Sequence, residues 1–89
     1  MIRVSSGAKA VSFDGFVLEI FGMSGSDKSR RYALEQIEKL GVAGGKGEVM
    51  FMGKVPRGGG FGIAFPESKR AELEQLVAAF DEARAQIKG

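Results

Sequence analysis

The spacing of apolar residues changes along this chain, and each change marks an element. Near the front, Val11 and Phe13, then Leu18 and Ile20, alternate with other residues on either side of Asp14-Gly15. Alternation is the mark of a half-buried strand, and Asp-Gly accepts the positive φ angles of a tight type I′ turn, so the segment predicts a β-hairpin. A two-residue loop pairs Phe13 with Phe16 and Val11 with Leu18, which puts these side chains and Ile20 on one face. Ala10, Ser12 and Glu19 fall on the other. Further on, Val49-Met50-Phe51-Met52 reads as a strand apolar on both faces, and Gly60 to Phe65 as a strand pointing Phe61, Ile63 and Phe65 to one side. After Pro66 the spacing lengthens: Leu73, Leu76, Val77, Phe80, Ala83 and Ile87 recur as one face of a helix does. This predicts a terminal helix over about 67–87, capped by Ser68, with Glu67 and Glu72 near its positive end. Laid on the sheet, each fully buried side chain of that stripe contributes about 1.5–3 kcal/mol.

Polar and glycine-rich stretches separate these elements. Gly22 to Ser29 reads as a polar loop, Gly41 to Gly47 as a flexible turn, and Lys54 to Gly59 as a second exposed connection. Arg30 to Leu40 carries two patterns. As a helix it places Ala33, Leu34, Ile37 and Leu40 on one side, with Ser26 or Asp27 as N-cap and Gly41 as the stop. As strand and turn, Tyr32 and Leu34 alternate with charged neighbours and Ile37 packs at a bend. Periodicity alone favours the helix.

Composition narrows the chemistry. With 89 residues, 44% hydrophobic and 27% charged, the chain predicts one ordinary globular domain over residues 1–89, resting on a single core. No cysteine and no histidine are present. That removes disulfides, thiolate nucleophiles, the usual general base near neutrality and most metal-ligand sets, so neither a cofactor nor catalysis is expected. The serines have no imidazole to activate them, and Glu35/Glu38, Glu72/Glu74 and Asp81/Glu82 read as solvated faces. Phe16 to Met23 is far shorter than the roughly 20 residues of a membrane span, and the N-terminus lacks the pattern of a signal peptide. A cytoplasmic, unexported protein is the expectation. The net charge of +2 is a weak field for a nucleic-acid binder.

Two local motifs come close to known binding signatures. Gly22-Met23-Ser24-Gly25-Ser26-Asp27-Lys28-Ser29 is one residue away from the phosphate-cradling G-x-x-x-x-G-K-[ST] loop, but Asp27 stands where glycine must precede the lysine. Its carboxylate repels phosphate, and a solvated loop is the better reading. Arg57-Gly58-Gly59-Gly60-Phe61-Gly62-Ile63-Ala64-Phe65 approaches the base-stacking strand of RNA-recognition domains, yet Gly59 occupies the position of the first stacking aromatic. Phe61, Ile63 and Phe65 fit a core stripe better. Basic residues gather near the two long connections: Lys28, Arg30 and Arg31 at one, Lys54 and Arg57 at the other. Brought to one end of a sheet, they form a candidate anion-binding rim; the plainer reading is solubilising charge.

Taken in order, Val11-Ser12-Phe13-Asp14-Gly15 with the Phe16 to Phe21 strand, the basic Arg30 to Ile37 segment ending in a Leu-x-x-Ile bend, and Gly60 to Phe65 running into Ala71-Glu72-Leu73-Glu74-Gln75-Leu76-Val77 resemble the small pleckstrin-homology-like (PH-like) domains of bacteria. The resemblance covers nearly the whole chain. It implies an α+β fold in which a bent antiparallel sheet or barrel of about seven strands is capped by one long C-terminal helix, and it makes Arg30 to Leu34 a strand. It also implies a non-catalytic module for protein interaction or self-association. Eukaryotic relatives hold phosphoinositides through a basic loop between strands, so an anionic lipid or polyanion at Lys28, Arg30 and Arg31 follows as an expectation. The alternative is a split β-α-β, RRM-like sandwich with a helix at Arg30 to Leu40, binding RNA.

Overall fold

The computed structural model describes residues 1–22, 29–56 and 59–88. Among them, seven antiparallel strands precede one helix: β1 (Ile2–Ser6), β2 (Lys9–Phe13), β3 (Val17–Phe21), β4 (Ser29–Ala33), β5 (Lys39–Gly44), β6 (Glu48–Val55), β7 (Gly59–Pro66) and α1 (Arg70–Lys88). The strands form two sheets, ordered β1-β2-β3-β4 and β5-β6-β7. The α+β class and the closing helix follow the expectation from the sequence.

The Asp-Gly hairpin forms, but with its turn displaced. Phe13 pairs with Leu18 and Val11 with Ile20, and Asp14 N–H donates to Val17 O at 3.3 Å, so the two central residues are Gly15 and Phe16. Asp14 causes the shift. Its Oδ1 accepts the backbone N–H groups of Phe16 and Val17, each at 2.8 Å, while Gly15 supplies the positive φ of 102° that a type II′ turn asks of its first central residue. Moving each partner by two residues preserves the faces, so Val11, Phe13, Leu18 and Ile20 are buried together. Phe16 instead stands at the tip, 74% exposed. Ala10 and Ser12, on the opposite face, are buried as well.

Residues 30–40 contain no α-helix. β4 pairs with β3, a short 3-10 turn at Leu34–Gln36 redirects the chain, and β5 begins at Lys39. The bend is held by Leu34 N–H donating to Phe16 O at 2.8 Å and by Ala33 N–H donating to Gln36 Oε1 at 2.7 Å. Leu34, Ile37 and Leu40, the stripe that suggested a helix, all reach the core from this bent chain. Extended backbone also brings Tyr32, which lies off that stripe, onto Phe61, ring centroids 5.0 Å apart. The split β-α-β alternative is thereby excluded as the architecture. The glycines at 41 and 44 belong to β5, and the turn proper is confined to residues 45–47, closed by Gly45 N–H donating to Glu48 O at 2.9 Å.

One core joins the two sheets and the helix. Val4, Val11, Phe13, Leu18 and Ile20 come from the first sheet, and Leu40, Val49, Phe51, Phe61, Ile63 and Phe65 from the second. Leu34 and Ile37 enter from the connection, and Leu73, Leu76 and Phe80 from α1. Phe80 meets Phe13 edge to face at 5.7 Å, a favoured aromatic geometry. Gly53 leaves room for Phe61: a methyl group there would overlap the ring. Lys9 Nζ donates to Ala64 O at 3.1 Å, a polar tie from the first sheet to the second.

The helix departs from expectation at both ends. Glu67–Lys69 form a 3-10 turn, so Ser68 lies inside that turn and not at the N-cap of α1. Arg70 and Glu67 pair there, Nε to Oε1 at 2.7 Å. Ile87 is 60% exposed, because the apolar stripe outruns the sheets it packs on.

Phe80→Ala is expected to cost about 3–5 kcal/mol, read as a lowered denaturation midpoint, through lost burial and the cavity left among rings. Asp14 gives a pH effect. Its carboxyl is held below the ordinary value by the N–H donors of Val17 and Phe16. A depressed folded-state pKa contributes stability that is present above the unfolded value near 3.9 and is lost as pH falls through the folded value. As pH falls below about 4 the wild-type midpoint should therefore fall more steeply than that of Asp14→Asn, which keeps the acceptor oxygen without the titration.

Candidate functional site

Strand alternation gives β6 two different faces. Val49 and Phe51 point into the core, whereas Glu48, Met50, Met52 and Lys54 point outward. Register fixes their neighbours: Met52 lies between Gly41 on β5 and Gly62 on β7, and Met50 between Ala43 and Ala64. A central ridge of two methionines thus stands on a bed of glycine and alanine. Met50 and Met52 are 37% and 40% exposed, and both lean on Gly62, where an added methyl would come 3.4 Å from the Met50 sulfur. Over Gly41 the space is open. An unbranched, polarisable thioether bordered by small residues can adapt its shape to a partner at little steric cost.

Charges flank this apolar strip at both ends. At one end Lys54 lies opposite Lys39, and Glu38 approaches the Lys54 ammonium at 4.0 Å. Two like charges directly opposite across a strand pair are unfavourable unless a carboxylate is near. At the other end Glu48 stands at the start of β6, next to the turn that carries Lys46. Basic side chains of α1 reach both ends of β5: Arg84 donates to Glu38 O just before the strand, and the Arg70 side chain lies over Gly44 at its end.

The outer face of the first sheet is different in kind. Arg3, Ser12, Glu19 and Arg31 form one row across β1 to β4, with Arg31 Nε 3.6 Å from Glu19 Oε2 and the Arg3 guanidinium 5.7 Å from the centre of the Phe21 ring. It is a polar, internally paired surface.

Of the residues assigned to an anion rim, Lys28 and Arg57 lie outside the described residues, as does most of the Gly22 to Ser29 loop that approaches a phosphate-binding motif. Arg30 and Arg31 are adjacent on β4 and so point to opposite faces of the sheet. Arg31 and Lys54 each have a carboxylate beside them, Glu19 and Glu38. Phe61, the aromatic that suggested base stacking, is 9% exposed and packs between Tyr32 and Phe51. Among the described residues, His, Cys, Asp and Glu form no group of three or more that could hold a metal ion, and no helix is long and apolar enough to cross a membrane.

Set against protein-family models, curated proteins and solved structures, the chain matches none of them.

The methionine face is what reading for charged motifs passes over. Its signal in the sequence is a strand apolar on both sides, Val49 to Met52, between two glycine-rich neighbours: one side fills the core, and the other needs a different explanation. The two faces are separable by mutation. Met52→Gln should shift stability by no more than about 0.5 kcal/mol, whereas Phe51→Ala, one residue away, should cost about 3–5 kcal/mol, both from denaturant melts.

Proposed function

We propose that this chain is a PH-like, non-catalytic binding and assembly module that engages protein through the outer face of β5, β6 and β7. The order of strands, four and then three, followed by a helix that packs on both sheets, is compatible with a PH-like arrangement. The observation that carries the reading is the exposed Met50/Met52 ridge on its glycine and alanine bed, bounded by charges. Apolar side chains gathered on a sheet face, when the core is already filled by the opposite face, lower free energy only by meeting another surface. A sequence with neither histidine nor cysteine agrees with a role without chemistry, and a cysteine-free chain suits a reducing cytoplasm.

Anion binding at the basic connections has less behind it, since Arg31 and Lys54 already have carboxylate neighbours and Arg30 and Arg31 diverge. RNA binding has less again, with Phe61 in the core.

A photoreactive amino acid placed at position 52, in the cell, is expected to yield covalent protein adducts, while the same residue at position 74, on the exposed side of α1, yields none. No adduct from either position 50 or position 52 would refute the module reading.

A further inference from the structure

We infer that the partner of this face is a second copy of the chain, docked sheet on sheet about a two-fold axis that sets the two β6 strands antiparallel. The inference rests on the reading of the face as a protein-binding surface and adds the identity of the occupant. What supports it is the charge pattern, which complements itself under that rotation.

Each copy carries a basic residue at the end of β6, Lys54, and an acidic one at its start, Glu48. Along the β5 side the order is reversed, with Glu38 just before the strand and Lys46 in the turn after it. Reversing β6 over its own copy lays Glu48 across from Lys54 and brings Lys46 to the corner that Glu38 shares with Lys39, and two-fold symmetry makes each of these contacts twice. A parallel two-fold arrangement would set Lys54 on Lys54 and Glu48 on Glu48, and would lay β5 over β7, away from its own charges. Lys39 and Lys54, side by side on neighbouring strands, also gain a second carboxylate in the antiparallel arrangement. Between the charged ends, Met50 and Met52 of the two copies interleave, and the glycine and alanine flanks let the sheets approach to the roughly 10 Å of face-to-face packing.

The size of the face sets the strength. Three strands about 4.8 Å apart, six, eight and eight residues long at about 3.3 Å each, present roughly 350 Å² per copy. That is about half of what a standard stable interface buries on each side, so the dimer is weak and forms as concentration rises. Part of its attraction is between exposed charges and is screened by salt.

Sedimentation equilibrium over roughly 20 µM to 1 mM tests this, a range chosen for an interface below the standard size. At low salt the apparent mass should rise from 9.5 kDa towards twice that value and fall back as salt is added. Glu48→Lys alone and Lys54→Glu alone should each stay monomeric, because each opposes like charges across the axis. Mixed in equal amounts, the two variants should associate with each other at least as tightly as wild type, which a mere loss of folding in either one would not produce. Wild type that remains monomeric at 1 mM, or variants that dimerise like wild type, would overturn the inference. If the position-52 adducts contain a different protein and wild type does not self-associate, the second copy is the wrong occupant and the binding reading survives. If there are neither adducts nor dimers, both fall.

Discussion

Two small sheets have to be made into one body, and the contact on which this depends is the insertion of α1 against both. A three- or four-stranded sheet of this size buries too little apolar surface to hold itself together, and the two sheets are linked among the described residues by a single bend at Leu34–Ile37. Leu73, Leu76 and Phe80 supply the missing wall, with Phe80 meeting Phe13 of the first sheet and the helix lying along β5 of the second. Cooperative folding of the sheets follows from this shared wall. Neither can lose it alone without exposing the aromatic side chains of the other.

That arrangement decides which parts of the molecule are left for other work. The inner faces are filled, and the outer face of the four-stranded sheet is occupied by its own Arg3, Ser12, Glu19 and Arg31 row. The outer face of the three-stranded sheet, by contrast, carries two neighbouring apolar side chains, Met50 and Met52, that the chain leaves partly uncovered. With the interior filled, it is this exterior face on which the proposed association rests.

The sequence made some of this plain and left the rest hidden for identifiable reasons. Helix α1 was legible because a long stripe at one spacing has no other explanation, although Ile87 shows that a stripe can continue past the surface that uses it. The hairpin was legible in its faces but not in its turn. Backbone spacing alone centres the loop on Asp14-Gly15, whereas the Asp14 carboxylate, by accepting two N–H groups, centres it on Gly15-Phe16. Residues 30–40 were ambiguous because Leu34, Ile37 and Leu40 reach a common core either from one side of a helix or from a bent strand, and only tertiary pairing with β3 decides between them. The glycines at 41 and 44 mimic a loop, yet in β5 they provide the small surface beside the methionines and the space for Arg70. Charge was the least informative signal: Arg30 and Arg31 look like a cluster in one dimension and diverge in three.

The Tyr32–Phe61 stack has an optical consequence. The chain contains one tyrosine and no tryptophan, so its near-ultraviolet signal is dominated by a single ring. That ring sits on β4 of one sheet and rests on a phenylalanine from β7 of the other, in the space that Gly53 leaves open. The protein therefore carries its own spectroscopic gauge, placed at the seam where the two sheets meet and needing no added label.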